Sequence, residues 1–519
     1  MTADRRPSFW ERAPREPDRV GVIDPDGTEW TYGQLWRAGN QVANGLVALG
    51  LHPQDPVAAV LPNIHQVYEV FPAALQVGLY YVPVNVHLTA PEIEYILTDS
   101  GARAIIANER YADAAAKAAE AAGIPPERRI AIGTIDGFRS YDEFRAGASD
   151  EPPPHRAPGQ RMYYTSGTTG RPKGVRKAFP AGDVDDDAVA FSERLFASAG
   201  LQAQEGGVHL VAGPAYHAAP LGFGLGALHL GQTVVLMDRW TPEGTLERIE
   251  RFRVTNTHMV PTMFNRLLKL PGAERERYDI SSLDSVAHAA APCPVETKRK
   301  MLDWLGPIIS EYYASSEVGG TFIGPEEWLR KPGSVGRPTP GAEVRIFDDE
   351  GNDQPTGTPG RVYFKIRQPF EYHHDPAKTD ANRTGDFATV GDIGYLDDDG
   401  YLFLCDRDSN LVIVGGVNVY PAEAENELVD HPAVRDVAVI GVPNPDTGEE
   451  LKAIVEPVPG VTPGPELADE LIAWLQERLA KYKCPRSVDF VDALPRLDNG
   501  KLYKQQLRDR YWQSADRKI

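Results

Sequence analysis

The chain has 519 residues, 42% hydrophobic and 25% charged, which is enough apolar material for a substantial core and more length than one compact domain uses. Its formal net charge of −20 and pI near 5.1 exclude nucleic acid as a general partner, because a phosphate backbone needs a basic footprint. Three scattered cysteines, Cys293, Cys405 and Cys484, suit neither a disulfide framework nor a metal knuckle, and point to a reducing compartment.

Met1 to Arg19 is charged and lacks the apolar stretch of a signal peptide, so a cytoplasmic protein is expected. Short β-rich apolar runs then alternate with Ala- and Leu-rich helical stretches, the pattern of parallel strands joined by crossover helices. Thr31 to Leu49 reads as a helix, Val57 to Leu61 as a buried strand ending at Pro62-Asn63, and Gln76 to Asn85 as another strand after a helix. Glu151 to Gln160, with three consecutive prolines, is an extended linker.

The linker delivers the chain to Tyr164-Thr165-Ser166-Gly167-Thr168-Thr169-Gly170-Arg171-Pro172-Lys173-Gly174. Glycines free the backbone to turn N–H groups toward anionic oxygens, closely spaced hydroxyls add neutral donors, and Lys173 adds a point charge. This is a nucleotide signal, but not a Walker A loop: Pro172 precedes the lysine and Gly174 follows it, where that motif has Gly before and Ser or Thr after. The acidic run Asp183 to Asp187 reads as a solvated turn, since nothing nearby completes a metal ligand set.

His209 to Met237 is the most apolar long window, yet Pro214, His217, Pro220 and several glycines interrupt it. A spanning helix needs roughly 20 mostly apolar residues, so this window reads as buried strands and a helix around a pocket, with no integral membrane segment.

The loop from Tyr164 to Gly174 resembles the phosphate loop of the adenylate-forming superfamily: acyl-CoA synthetases, luciferases and peptide adenylation domains. Further segments resemble that family in order, over nearly the whole chain. His217, in Pro214 to Pro220, falls where acyl-CoA synthetases place a His or aromatic residue at the acyl site, and no Asp follows before Met237 to hold an amino acid's ammonium. Ala289-Ala290-Ala291-Pro292 matches the edge of the adenine and acyl pockets. Tyr312-Tyr313-Ala314-Ser315-Ser316-Glu317 matches the segment that supplies an aromatic ring, a phosphate-facing hydroxyl and a magnesium-binding Glu. Ala314 stands where the family usually has Gly, and Ser316 where it has Thr. The resemblance therefore implies Mg²⁺ on Glu317 and Thr165, few carboxylates being what that ion takes beside phosphate oxygens and water.

Asp392 and Arg407 match the family's ribose clamp, a carboxylate accepting from the ribose hydroxyls as in dinucleotide-binding enzymes. Thr384-Gly385-Asp386 spells the usual Thr-Gly-Asp more literally, but Asp392 keeps the expected distance to Arg407 and is preferred. Ser409 stands at the position of the family's hinge, Gly415-Gly416 match the loop that lets a pantetheine arm pass, and Lys501 in Pro495-Arg496-Leu497-Asp498-Asn499-Gly500-Lys501 matches the catalytic lysine.

The fold implied is α/β: a large N-terminal adenylation domain over 1–408 with several subdomains and layered, mostly parallel sheets, and a small mobile α+β C-terminal domain over 409–519. The implied activity is acyl-CoA synthesis from a small-molecule carboxylic acid, ATP and coenzyme A through an acyl-adenylate. Small residues at Ala218, Ala219, Gly222, Gly224, Ala289, Ala290 and Ala314 suggest room for a medium or long chain or a bulky ring. A carrier-protein acceptor and a catalytically silent nucleotide-binding homologue are the alternatives, and the resemblance leaves room for a homodimer.

Overall fold

The computed structural model describes residues 5–165, 172–407, 410–414, 417–444, 447–496, 500 and 502–512, with the backbone alone for Thr165, Arg407 and Asn418. The chain divides into two compact units, one of residues 1–259, 270–287 and 367–381, the other of 260–269, 288–366 and 382–519.

In the first unit, Thr31 accepts from the Gln34 amide while the Gln34 side chain answers to the Thr31 N–H, a capping box that starts helix α1 (Tyr32–Ala48). Strand β1 (Pro56–Val60), helix α2 (Val67–Gln76), and strands β2 (Tyr80–Pro83), β3 (Ala104–Asn108) and β4 (Arg129–Ile132) follow. Strand β1 lies between β2 and β3, β4 lies outside β3, and short strands Arg139–Ser140 and Gln160–Arg161 complete six parallel strands. Both faces are covered by helices, which explains why β3 is buried at every position instead of alternating.

Strands β5 (Tyr163–Thr165) and β6 (Lys173–Lys177) pair antiparallel, and Phe370–Tyr372 pairs with the far edge of β6. Helix α3 (Val184–Ala199), strand β7 (Val208–Val211), helix α4 (Ala218–His229), and strands β8 (Thr233–Leu236) and β9 (Asn256–Met259) come next. Strand β7 pairs in parallel with β8 and β9, and β8 in parallel with Val20–Ile23. The apolar window thus resolves into two strands flanking one buried helix.

The acidic run departs from its expected solvated turn. Asp183 is the N-cap of α3 and accepts from the amides of Asp185 and Asp186, while Asp185 is 7% exposed and paired with Arg156 at 2.6 Å and with the Ser8 hydroxyl. Acidic groups suit a helix N-terminus, where unpaired N–H groups and the helix dipole favour negative charge.

The second unit opens with helix α5 (Pro261–Leu268) and continues through helix α6 (Val295–Leu305) and strands β10 (Ile309–Tyr313) and β11 (Thr321–Ile323), which pair antiparallel. Strands β12 (Gly360–Lys365), β13 (Phe387–Leu396) and β14 (Leu402–Arg407) form an antiparallel sheet with Val344–Phe347 and Arg383–Thr384. Strands β15 (Val412–Val414) and β16 (Val417–Val419), helix α7 (Pro421–Leu428), and strands β17 (Val434–Asn444) and β18 (Gly448–Pro457) build the last sheet, with Ser487–Phe490 parallel to β18. Alternation along β17 sends Val437 and Val439 into one apolar cluster with Leu428 and Leu471, and Ala438, Ile440 and Val442 into another with Leu507.

Candidate active site

In the first unit, the pairing of β5 with β6 sets Thr165 opposite Lys173 and Tyr164 opposite Gly174. A Cβ at Gly174 would lie 2.5 Å from Met162 Cε, so a side chain here would have to displace that methionine. The antiparallel pairing of β6 with Phe370–Tyr372 continues through His373, whose N–H donates to Gly174 O at 2.8 Å, and carries Asp375 to the Lys173 ammonium. Asp375 also accepts from the Lys378 N–H at 3.0 Å, and the Lys173 bond holds its carboxyl below the usual range. Asp375 was not singled out in the sequence, where only the strand register connects two residues so far apart.

His217 sits at the N-cap of α4, its ring centroid 4.5 Å from that of Tyr216. The segment before it is pinned by Asn63, which donates to Gly213 O at 2.9 Å and Met237 O at 2.8 Å and accepts from the Ala215 N–H at 2.7 Å. Gly224 gives its room to packing: a Cβ there would lie 2.0 Å from the Tyr68 hydroxyl, and one at Gly222 would touch Leu195 at 3.4 Å. The register of β7 with β9 aligns His209 with Asn256 and Val211 with His258, so both imidazoles face the same side of the sheet, and Phe223 of α4 packs against both. Burial depresses the pKa of His209 to about 4 and of His258 to about 3, leaving a layer of neutral rings.

In the second unit, β10 ends at Tyr312 and Tyr313, and the Tyr313 hydroxyl donates to Asp392 Oδ2 at 2.5 Å. Asp392 of β13 is the register partner of Arg407 of β14, and it is 7% exposed, whereas Asp386 is exposed at a turn. Ser315 Oγ accepts from the N–H groups of Glu317 and Val318, each at 3.1 Å, a turn that fixes Glu317 in a buried position at 7% exposure. Ala314 and Ala290 are exposed, Ala291 is half-buried and Pro292 exposed. Ala290 has φ of 76°, a left-handed conformation costly to any residue with a Cβ.

The second unit also holds a buried ion pair that the sequence does not signal. Lys298 of α6 meets Glu311 of β10 at 2.6 Å, over the Trp328 ring and with His288 3.4 Å from the same carboxylate. Burial raises the Glu311 pKa against the pull of Lys298.

Among the described residues no group of three or more His, Cys, Asp or Glu is placed to hold a metal. A buried carboxylate such as Glu317 fits an ion that completes its shell with phosphate oxygens and water. Ser166, Gly167, Thr168, Thr169, Gly170, Ser409, Gly415, Gly416 and Lys501 lie outside the described residues, as do the side chains of Thr165 and Arg407.

The AMP-binding enzyme family model matches residues 9–371, and the model of its C-terminal domain matches 423–501. The chain belongs to the adenylate-forming superfamily. It is 33% identical to the fatty acid–[acyl-carrier-protein] ligase ScoC of Streptomyces coeruleorubidus over 98% of this chain and 96% of the relative. It is 34% identical to a feruloyl-CoA synthase of Amycolatopsis sp over 96% of this chain and 98% of the relative. Among solved structures, the anthranilate CoA ligase AuaEII in complex with anthranoyl-AMP superposes with a TM-score of 0.85 at 26% identity, over 97% of this chain and 96% of that one. This adenylate-forming chain has the family's mixed α/β architecture, and no helix among its described residues is long and apolar enough to cross a membrane.

Proposed function

We propose that the chain is an ATP-dependent acyl-CoA synthetase with an adenylation domain over 1–408 and a mobile C-terminal domain over 409–519. The observation that carries this reading is the Tyr313–Asp392 hydrogen bond, with Arg407 as Asp392's partner in the adjacent strand. It orients a buried carboxylate, which supports a role for Asp392 in gripping the ribose.

In the first half-reaction an oxygen of the substrate carboxylate bonds to the α-phosphorus of ATP, and the bond from that phosphorus to the bridging oxygen of pyrophosphate breaks. Thr165, Ser166, Gly167, Thr168, Thr169, Gly170 and Lys173 hold the leaving phosphates. Glu317 and Thr165 would hold Mg²⁺, which when bound would supply Lewis-acid charge to the phosphate oxygens. Ala290, Ala291, Pro292, Tyr312, Tyr313, Ala314, Ser315 and Ser316 border the adenosine and acyl sites, and His217 meets the acyl group. Lys501 faces the developing charge, so catalysis is mostly positioning and electrostatics. In the second half-reaction the thiol of coenzyme A, guided past Gly415 and Gly416, attacks the acyl carbonyl and AMP leaves. Rotation about Ser409 exchanges the two arrangements.

A medium- or long-chain or bulky acid is the proposed substrate class, supported by relatives named for fatty acids and for ferulate. The ScoC likeness favours one second reading, delivery of the acyl group to a carrier protein. Pyrophosphate release measured over a panel of carboxylic acids, with coenzyme A or a phosphopantetheinylated carrier protein as acceptor, tests both readings. Turnover only with the carrier replaces the CoA reading, and no acid-dependent pyrophosphate exchange across the panel removes the enzyme reading.

A further inference from the structure

Arg496 and Leu502 face each other in an antiparallel bridge, and the Tyr503 N–H donates to Pro495 O at 2.8 Å, so both flanks of the segment that includes Lys501 are tied together. Arg496 does more than flank it. Its Nε and Nη2 donate to the two oxygens of Asp436 at 2.5 and 2.7 Å, and its Nη1 donates to Gly500 O at 2.7 Å. One planar guanidinium therefore joins the start of β17 to the residue immediately before Lys501, with the side chains of Arg496 and Asp436 only 18% and 17% exposed.

Gly500 rests against helix α5. At φ of 77° it occupies the left-handed region, and a Cβ there would lie 2.3 Å from Thr262 Oγ1 and 3.0 Å from Val260 Cγ2. The other end of α5 is held as well: the Lys269 ammonium donates to Val434 O at 3.1 Å and Arg435 O at 2.5 Å, the two residues that precede Asp436. The contacts close a ring. It runs from Thr262 through Gly500, Arg496 and Asp436 to Arg435 and Lys269, and back along α5. A single surface contact would restrain the loop weakly, but a ring fastened at both ends of a two-turn helix fixes the position and the direction of Gly500.

We propose that Arg496 is a positioning residue for adenylate formation, acting through Asp436 and Gly500 to fix the point from which Lys501 leaves the chain, with Lys269 closing the ring on α5. This rests on the reading that Lys501 serves the first half-reaction. A displacement of one ångström in a catalytic group costs about 100-fold in rate, so the base of the loop matters as much as the lysine itself. Lysine does not substitute for Arg496, because a point charge lacks the fork that spans a carboxylate and a carbonyl together.

The test compares Arg496→Met, Arg496→Lys and Lys269→Met with the wild-type chain in two assays: acid-dependent exchange of pyrophosphate into ATP, and thioester formation from preformed acyl-adenylate. Both Arg496 variants are expected to lower kcat for exchange by about 10- to 100-fold, with KM for ATP and the thioester step within about twofold of wild type. Lys269→Met, a milder opening of the same ring, shows the same split at about three- to tenfold. In a Lys501→Ala background, Arg496→Met causes no further loss. Equal losses in both assays, a further loss in the Lys501→Ala background, or full activity of Arg496→Lys each overturns the inference. An active wild type matched by Arg496→Met removes this inference alone; a wild type with no exchange removes the reading of function on which it stands.

Discussion

The Tyr313 hydroxyl and the Asp392 carboxylate, 79 residues apart in sequence, meet at 2.5 Å and join the end of β10 to the middle of β13. The phenol orients the carboxylate before any nucleotide arrives, so less ordering has to accompany binding. Asp392→Ala removes the charged acceptor proposed for the ribose and is expected to raise KM for ATP by about 10- to 100-fold, the worth of one or two hydrogen bonds to a charged group. Tyr313→Phe leaves the carboxylate and costs about three- to tenfold. Pyrophosphate exchange at varied ATP checks the order; equal effects of the two variants would mean that Tyr313 does not act through Asp392.

Lys173 and Asp375 pose a different balance. Their side chains are 17% and 30% exposed, so solvent screening leaves the pair little part in stability. Lys173→Met should therefore leave the melting temperature within about 2 °C of wild type while raising KM for ATP by about tenfold. A large fall in melting temperature would show that Lys173 is a structural cation and not a phosphate-binding one.

Three buried histidines in the first unit set an acid limit on stability. Burial depresses His209 to about 4, and His229 and His258 to about 3, from an ordinary value of 6.5. His229 also accepts from the Phe9 N–H at Nδ1, a bond that protonation there would break. The unfolded chain takes up these protons below pH 6.5 and the folded chain refuses them. Their contribution is thus intact above the unfolded value and is lost as pH falls toward the folded ones. The slope approaches about 1.4 kcal/mol per pH unit for each histidine between roughly pH 6 and 4. Thermal unfolding from pH 7.5 to 5 is expected to show a falling midpoint, with a shallower fall in His258→Gln. An identical slope in that variant would exclude His258 as a source.

The layered fold was legible because parallel strands covered on both faces spell continuous apolar runs, such as Ala104-Ile105-Ile106-Ala107, and because Thr31 and Gln34 mark a helix start. The spacing that favours Asp392 over Asp386 has a counterpart in the strand register, which sets Asp392 opposite Arg407. Asp375, Asn63 and Lys298 were not legible. Each acts on a residue or backbone group brought near by tertiary packing or by a strand register that spacing alone does not encode. The aspartates from 183 to 187 misled for a related reason: a charge run looks solvated until the helix it caps and the arginine it meets are both known.

The Lys298–Glu311 pair tests how that hidden support is held. Both side chains are buried, at 0% and 7% exposure, so removing the ammonium leaves the Glu311 carboxylate in low dielectric beside the His288 ring. Lys298→Met is expected to destabilise the chain by about 3–5 kcal/mol at pH 7.5, whereas Lys298→Met combined with Glu311→Leu recovers most of that loss. The sign with pH follows from burial, which already raises the Glu311 pKa. Without Lys298 that pKa rises further, so the folded state of the single variant prefers a protonated Glu311, and its deficit shrinks as pH falls toward the ordinary carboxylate range. Denaturant melts of wild type, single and double variants at pH 7.5 and 5.5 measure this directly. A deficit in Lys298→Met that stays constant between the two values would show that the lysine stem, packed over Trp328, contributes more than its charge.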